Sequence, residues 1–387
     1  MTTNLHKKTL KHLALASFLN DVGSDMIAPV WPIFLTSVLG ANMTILGLVD
    51  GIGTACVSLS SALSGYLSDK MQRRKIFIWF GYMFAFVSRV GYAISASWQM
   101  IIPFRILDRS GKIRSAPRDA IIADLSTREN RGKNFGILET YDNLGAVIGI
   151  LLSLLLLPFL GVRKLFLLAA FPSLIAVYLI IKKIKDVKAD EIHIYKGFQT
   201  KIINKNLRLL FILATIFSLG SFSYSFLLIY AKEFGFRIIT IPLLYLVFTL
   251  VASMTSIYFG KLTDRVGRQP ILMLSFVLWA ITLLSLLFAR NQIAVVISFV
   301  FYGLHLASQE TAGKAFVSEL SPSHIRASVL GSYQLLTGLA FFPASFLAGL
   351  LWERIGIHAP IYFSLFLTII AGGMLMFVAE SKTGNEM

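Results

Sequence analysis

Two uncharged apolar runs, Leu165 to Ile181 and Ile271 to Ala289, constrain this chain more than any other feature. The hydrocarbon core of a bilayer takes about 20 residues of helix, so runs of this kind carry the signal of a membrane span. Leu151 to Phe159 is a shorter run of the same character. Of the 387 residues, 56% are hydrophobic and 14% charged, against roughly 45–50% and 25% in a soluble domain. One soluble core cannot absorb that excess, because cores stop growing at about 250–300 residues. An apolar solvent can.

A span with its turn takes roughly 30 residues, which allows about twelve helices. The N-terminal half carries spans at 12–37, 44–68, 76–95, 99–121, 135–159 and 164–182. The C-terminal half carries them at 208–230, 241–262, 271–289, 292–317, 328–350 and 359–379. The apolar runs are continuous, so the alternating strands of a membrane β-barrel are not indicated. The expectation is an all-α membrane protein of two six-helix bundles, 1–182 and 208–387, joined by a polar cytoplasmic linker at 183–207.

The net charge of +16 suggests nucleic acid until its placement is considered. Lys7, Lys8 and Lys11 precede the first span, and Lys70, Arg73, Arg74 and Lys75 follow the second. Arg128, Arg131 and Lys133 follow the fourth, eight more cations from Lys182 to Arg208 join the halves, and Lys261, Arg265 and Arg268 follow the eighth. The loops 38–43 and 96–98 carry none, although Arg163, Lys164, Lys232, Arg237, Arg290 and Arg354 dilute the pattern. The positive-inside rule places both termini and the linker in the cytoplasm. Cys56, the single cysteine, excludes a disulfide framework and a cysteine metal site. Asn20, Asp21 and Asp25 interrupt the first apolar stretch, which reads as a retained span rather than a signal peptide.

The halves repeat at one register. Gly65-Tyr66-Leu67-Ser68-Asp69-Lys70 closes the second span, and Gly260-Lys261-Leu262-Thr263-Asp264-Arg265 closes the eighth, 195 positions later. Asp124-Leu125-Ser126 with Arg131 and Gly136 is matched at the same offset by Glu319-Leu320-Ser321 with Arg326 and Gly331. Two sites at one register indicate two similarly oriented bundles. The run Gly65 to Lys75 resembles the loop motif of the major facilitator superfamily, and Gly260 to Arg268 resembles its second copy. Gln72 replaces the glycine usual there, whereas Gly267 keeps it. The resemblance implies a gating role for Gly65, Asp69, Lys70, Arg73, Gly260, Asp264, Arg265 and Arg268. Plain anchoring of the loops at headgroup level is the alternative.

Ionisable residues inside a span cost about 2.5–3.5 kcal/mol on insertion scales, so they are functional candidates. Asp21 and Asp25, four apart, share a helical face, with Pro29 and Pro32 positioned to kink the span beyond them. They read either as a proton or cation site or as partners of a basic helix. Arg105, Asp108, Arg109 and Lys112 form a stripe on the fourth span that must face the interior or a wet cavity. Arg105-x-x-Asp108-Arg109-x-Gly111 resembles the superfamily's fourth-span arginine motif, which implies proton or substrate coupling. The run through Ala116-Pro117-Arg118-Asp119-Ala120 resembles an uncharacterised bacterial branch of it. Arg114, Arg118 and Asp119 read as a structural ladder at the cytoplasmic end.

Glu139 and Asp142 on the fifth span are three apart, and Arg105 or Arg89 is expected to neutralise one of them, with Asp142 the interior partner. At the repeat offset, Asp21, Asp25, Arg105 and Asp108 become Ile216, Gly220, Val300 and Gly303. Ion coupling is therefore expected in the N half. The tenth span offers His305, a proton carrier or a hydrogen-bonded structural residue, with Gln309, and Glu310 and Lys314, which are spaced to pair. Gly47-x-x-x-Gly51 and Gly145-x-x-x-Gly149 mark close helix approaches.

These features point to a secondary transporter of a small solute, proton-coupled and monomeric, in a bacterial cytoplasmic membrane. Export of drugs or metabolites and uptake of nutrients or siderophores both fit. No nucleotide-binding loop appears, the six histidines are scattered, and no cofactor, metal or nucleic-acid partner is expected. A membrane enzyme or a transport-dead sensor has no supporting feature.

Overall fold

The computed structural model describes residues 2–71, 73–126, 131–184, 205–321 and 326–379, without the side chains of 2–7, 66, 69, 131–132 and 327–328. Most of the linker expected at 183–207 and the side chain of Asp69 lie outside the described residues. Among the described residues every regular element is helical.

The first pass is α1 (Thr2–Ile27), a turn, and α2 (Trp31–Ile33), which runs into a π-helical turn at Phe34–Val38. The break falls at Pro29 and Pro32, where the missing N–H and the ring forbid an uninterrupted helix. The second and third passes, α3 (Met43–Met71) and α4 (Arg74–Ile94), lie where the hydropathy places them. The fourth does not run straight. It is α5 (Trp98–Ser110), a 3-10 turn at Gly111–Arg114 and α6 (Ser115–Asp124). The turn docks on α4 through two glycines, since a Cβ on Gly81 would meet the Gly111 carbonyl oxygen at 2.5 Å. Lys112 thus leaves the helical stripe of Arg105, Asp108 and Arg109.

The fifth and sixth passes form α7 (Arg131–Lys183), bent at Gly161, whose φ of 68° suits glycine. The seventh is broken into α8 (Lys205–Gly220) and α9 (Tyr224–Glu233). Between them the Ser223 hydroxyl accepts from the Ser225 N–H at 3.2 Å and caps α9. Five uninterrupted helices complete the chain: α10 (Ile241–Val266), α11 (Arg268–Leu287), α12 (Gln292–Leu320), α13 (Arg326–Arg354) and α14 (Ala359–Leu375). Among the described residues the sum is twelve passes. By length and composition, eight stretches among the described residues are long and apolar enough to cross a membrane, one of them the double pass Lys133–Lys183. The first and fourth passes escape that criterion because they carry charges and breaks, and the twelfth because α14 has only 17 residues.

The chain divides into two compact units, Met1–Ala41 with Ile52–Tyr195, and Asn42–Gly51 with Lys196–Met387. The start of α3 thus belongs to the second unit. In the first unit α1 packs along α7, and α4 packs on α7 and α5. Its core includes Leu13, Ala16, Ile78, Tyr82, Ile121 and Ile180. Glycines set the closest approach. A Cβ on Gly145 would lie 2.6 Å from the Phe18 carbonyl oxygen, and one on Gly149 2.4 Å from that of Val22. In the second unit α12 lies between α10 and α11, and α8 contacts α13 and α14. There a Cβ on Gly47 would lie 2.0 Å from the Ser345 carbonyl oxygen. Both small-residue pairs therefore do what their spacing predicts. The opposite faces carry large apolar side chains such as Phe159 and Met254, 84% and 78% exposed, as a lipid-facing surface requires.

Candidate functional site

Charged side chains concentrate inside the first unit. Arg89 on α4 is buried, and its guanidinium is held by neutral oxygens. Nη1 donates to the Ala169 carbonyl at 2.9 Å and the Ser173 hydroxyl at 2.6 Å. Nη2 donates to the Asn20 carbonyl at 3.1 Å, Asn20 Oδ1 at 3.3 Å and the Ser24 hydroxyl at 2.7 Å. Arg89 therefore joins the first, third and sixth passes. None of these contacts is with Glu139 or Asp142, one of which the sequence expects Arg105 or Arg89 to neutralise.

That task falls to Arg118 on α6. Its Nη1 lies 3.3 Å from Asp142 Oδ2 and donates to the Ser17 hydroxyl at 2.5 Å, while its Nε lies 3.0 Å from Asp119 Oδ1. One guanidinium serves two carboxylates. Asp142 is indeed the interior member of its pair, whereas Glu139 is exposed, so the two do not share one environment. Asp21 is half-buried and accepts from Asn20 Nδ2 at 3.0 Å. The Gly145 close approach brings its Cβ within 3.3 Å of where a Gly145 side chain would begin. Asp142 stands one helical turn before Gly145, so the two carboxylates belong to facing helices at nearly one level. Asp25 is half-buried one turn further along α1.

Arg105 on α5 is buried with its guanidinium 4.0 Å over the Trp31 ring. A desolvated contact of this kind contributes about 2 kcal/mol. Trp31 is itself fully buried and lies 5.0 Å from the Tyr92 ring. Gly53 on α3 makes room for the stripe, since a Cβ there would meet Arg105 Nε at 3.1 Å and Arg109 Cγ at 3.2 Å. Asp108 and Arg109 lie 3.7 Å apart.

The repeated motifs place their ion pairs at helix ends. In the first unit Arg74 pairs with Asp124, while its neighbours Lys70 and Arg73 are exposed. In the second, Arg268 Nε lies 2.9 Å from Glu319 Oε2 and Nη2 lies 3.8 Å from Asp264 Oδ1. Arg265 is exposed, and Gly260 has open space before it. The acids Asp124 and Glu319 occupy equivalent positions in the repeat, and each receives an arginine from the preceding motif.

The C-terminal candidates separate. Lys314 Nζ pairs with Glu310 Oε1 at 2.7 Å, and both side chains are exposed. His305 is buried among the rings of Phe217, Trp279 and Tyr302. Its Nδ1 lies 2.8 Å from the Ser275 carbonyl oxygen, which makes Nδ1 the protonated nitrogen of the neutral ring. Ser275 in turn donates to Gln309 Oε1 at 2.6 Å.

One buried carboxylate is absent from the sequence reading. Asp50 on α3 is 3% exposed and accepts from the Ser223 hydroxyl at 2.7 Å, at the break between α8 and α9. Nearby, Glu353 Oε1 accepts from the Met43 N–H at 2.7 Å and Asn42 Oδ1 from Ile45 N–H at 2.9 Å, which caps the start of α3.

Twelve helical passes in two units, with ionisable groups inside the first, define an integral membrane protein. The Major Facilitator Superfamily pattern matches residues 13–207 and 209–386. An uncharacterized MFS-type transporter of Methanocaldococcus jannaschii is 36% identical over 96% of this chain and 95% of its own length. Multidrug resistance protein 2 of Bacillus subtilis is 23% identical over 97% and 96% of the two chains. Among solved structures, a mutant of the nucleoside transporter NupG superposes with a TM-score of 0.82 at 14% identity, over 96% of this chain and 99% of that one. The chain belongs to the major facilitator superfamily.

Proposed function

We propose that the chain is a proton-coupled secondary transporter of a small solute, working by alternating access around a midplane site. It acts as a monomer in a cytoplasmic membrane with both termini on the cytoplasmic side. The carrying observation is the state of Asp21. It stands beside α7 and Asp142 in the interior of the first unit, and its hydrogen bond comes from a neutral amide. Asp142 is matched by a guanidinium that it shares with Asp119. Among the described residues Asp21 has no contact ion pair, and a proton would relieve the cost of an uncompensated charge inside a bundle. Asp21 is thus the proton carrier, with Asp142 its neighbouring carboxyl on the facing helix. His305, with Nδ1 committed to a carbonyl, is a structural residue of the second unit.

The experiment is solute movement in proteoliposomes under an imposed pH gradient, with solutes taken from a thermal-shift screen of the purified protein. Acceleration by the gradient that Asp21→Asn abolishes supports the proposal. Gradient-driven transport that survives this substitution defeats it. The gradient's polarity distinguishes an exporter, as the likeness to a multidrug resistance protein suggests, from an uptake symporter.

A further inference from the structure

The slot that holds Arg89 is built with more care than a helix tie needs. On α1, Gly23 is required: a Cβ there would lie 2.1 Å from Arg89 Nη1 and 2.3 Å from the Ala169 carbonyl oxygen. Asn20 and Ser24 flank it on the same face and supply acceptors. Across the slot, the Ser173 hydroxyl accepts from Arg89 Nη1 and donates to Asn20 Oδ1 at 3.0 Å. Asn20 Oδ1 therefore receives two donors, one cationic. That fixes the amide, because a flip would turn its NH2 toward a guanidinium and a hydroxyl proton. With the oxygen so held, Nδ2 has one direction left, and it points at Asp21 Oδ1.

We propose that Arg89 is a positioning residue for the proton carrier, acting through the Asn20 amide to hold Asp21 in one rotamer and to favour its ionised form. This rests on the reading of Asp21 as the proton site. A donor aimed at a carboxylate favours the charged state over the neutral one. The buried cation polarises the amide that carries this donor, which strengthens it. Arg89 thus acts on Asp21 without an ion pair, so proton uptake does not require a salt bridge to break. Other groups facing this region from the packed elements are Tyr82 on α4, Lys112 in the 3-10 turn, and Asp142 on α7 with its partner Arg118. Asp25 stands one turn along α1. The Asn20 amide itself meets Asp21, Arg89 and Ser173.

The test needs no substrate, because the probe is the proton. The full chain in lipid nanodiscs is titrated while infrared difference spectra follow the C=O stretch of protonated carboxyl groups. The band lost in Asp21→Asn belongs to Asp21. In Asn20→Ala, where Arg89 keeps Ala169, Ser173, Ser24 and the residue-20 carbonyl, the midpoint of that band moves to higher pH by about one unit. An unchanged midpoint overturns the inference and leaves the proposed function standing. If Asp21→Asn removes no titrating band, the reading of Asp21 as carrier fails, and this inference with it. Should Asn20→Ala not yield folded protein, Ser173→Ala decides, since it frees the amide from one restraint: an upward shift supports the inference and none overturns it. A purely structural tie would lower the unfolding temperature in these variants without moving the midpoint.

Discussion

Arg268 Nε and Glu319 Oε2 lie 2.9 Å apart, and 195 positions earlier Asp124 is held in the same way by Arg74 rather than by Arg73. The repeat has kept the acid and shifted the arginine by one residue. A long guanidinium stem absorbs that shift, because its reach is set by side-chain torsions more than by its Cα position. Glu319 is the more enclosed partner of its pair, at 10% exposure against 30% for Arg268. A double-mutant cycle with Arg268→Gln and Glu319→Gln should give a coupling of about 1–2 kcal/mol, between exposed and buried pairs. Thermal unfolding in detergent measures it. Additive effects would show that the contact does not contribute.

The glycine approaches between α1 and α7 give a second expectation. Gly149→Ala would place a methyl carbon 2.4 Å from the Val22 carbonyl oxygen, on a backbone that cannot rotate away. The helices must part, at a cost of about 1–3 kcal/mol as in other overpacked sites. Gly136→Ala on the same helix meets nothing within 4 Å and is the control. The unfolding temperature should fall in the first variant and hold or rise in the second.

Spans and repeats were legible because they depend on local composition. Gly47, Gly51, Gly145 and Gly149 were legible because close helix approach needs small residues at one spacing. Partner choice was not. Whether Asp142 meets Arg89, Arg105 or Arg118 depends on helix rotation, and one residue of error turns a helix by about 100°. The fourth pass compounds this, since the 3-10 turn at Gly111–Arg114 resets the phase between Arg105 and Arg118. The break at 221–223 was signalled only by Gly220 and two serines in an apolar run.

Asp50 is a different kind of omission. An acid inside the apolar span 44–68 carries the ordinary signal of an intramembrane candidate, and only its lack of a charged neighbour in sequence made it inconspicuous. Its acceptor role predicts a split between two substitutions. Asp50→Asn keeps an oxygen for the Ser223 hydroxyl, whereas Asp50→Ala leaves that hydroxyl only the longer 3.2 Å contact with Ser225 Oγ, a penalty of about 1 kcal/mol. Unfolding temperatures should order wild type, Asn, then Ala. If the two variants are equally destabilised, the charge and not the hydrogen bond is what the site requires.

Arg118 offers the strongest test of the charge distribution inside the first unit. Its guanidinium contacts Asp119, Asp142 and Ser17, and its side chain is 13% exposed against 23% for that of Asp142. Arg118→Gln removes the cation and leaves the Asp142 carboxylate enclosed with no counter-charge in contact. Breaking an enclosed pair from one side costs about 3 kcal/mol, mostly as the desolvation of the charge that remains. Asp142→Asn should cost less, because Asp119 and Ser17 still hold the arginine. The double variant removes both charges and should recover part of the Arg118→Gln loss. Thermal unfolding of the four proteins at neutral pH measures this order. Acidification supplies an independent check: protonating Asp142 relieves the uncompensated charge, so the deficit of Arg118→Gln should shrink as pH falls, while that of Asp142→Asn does not. A deficit independent of pH would mean that Arg118 acts through packing rather than charge.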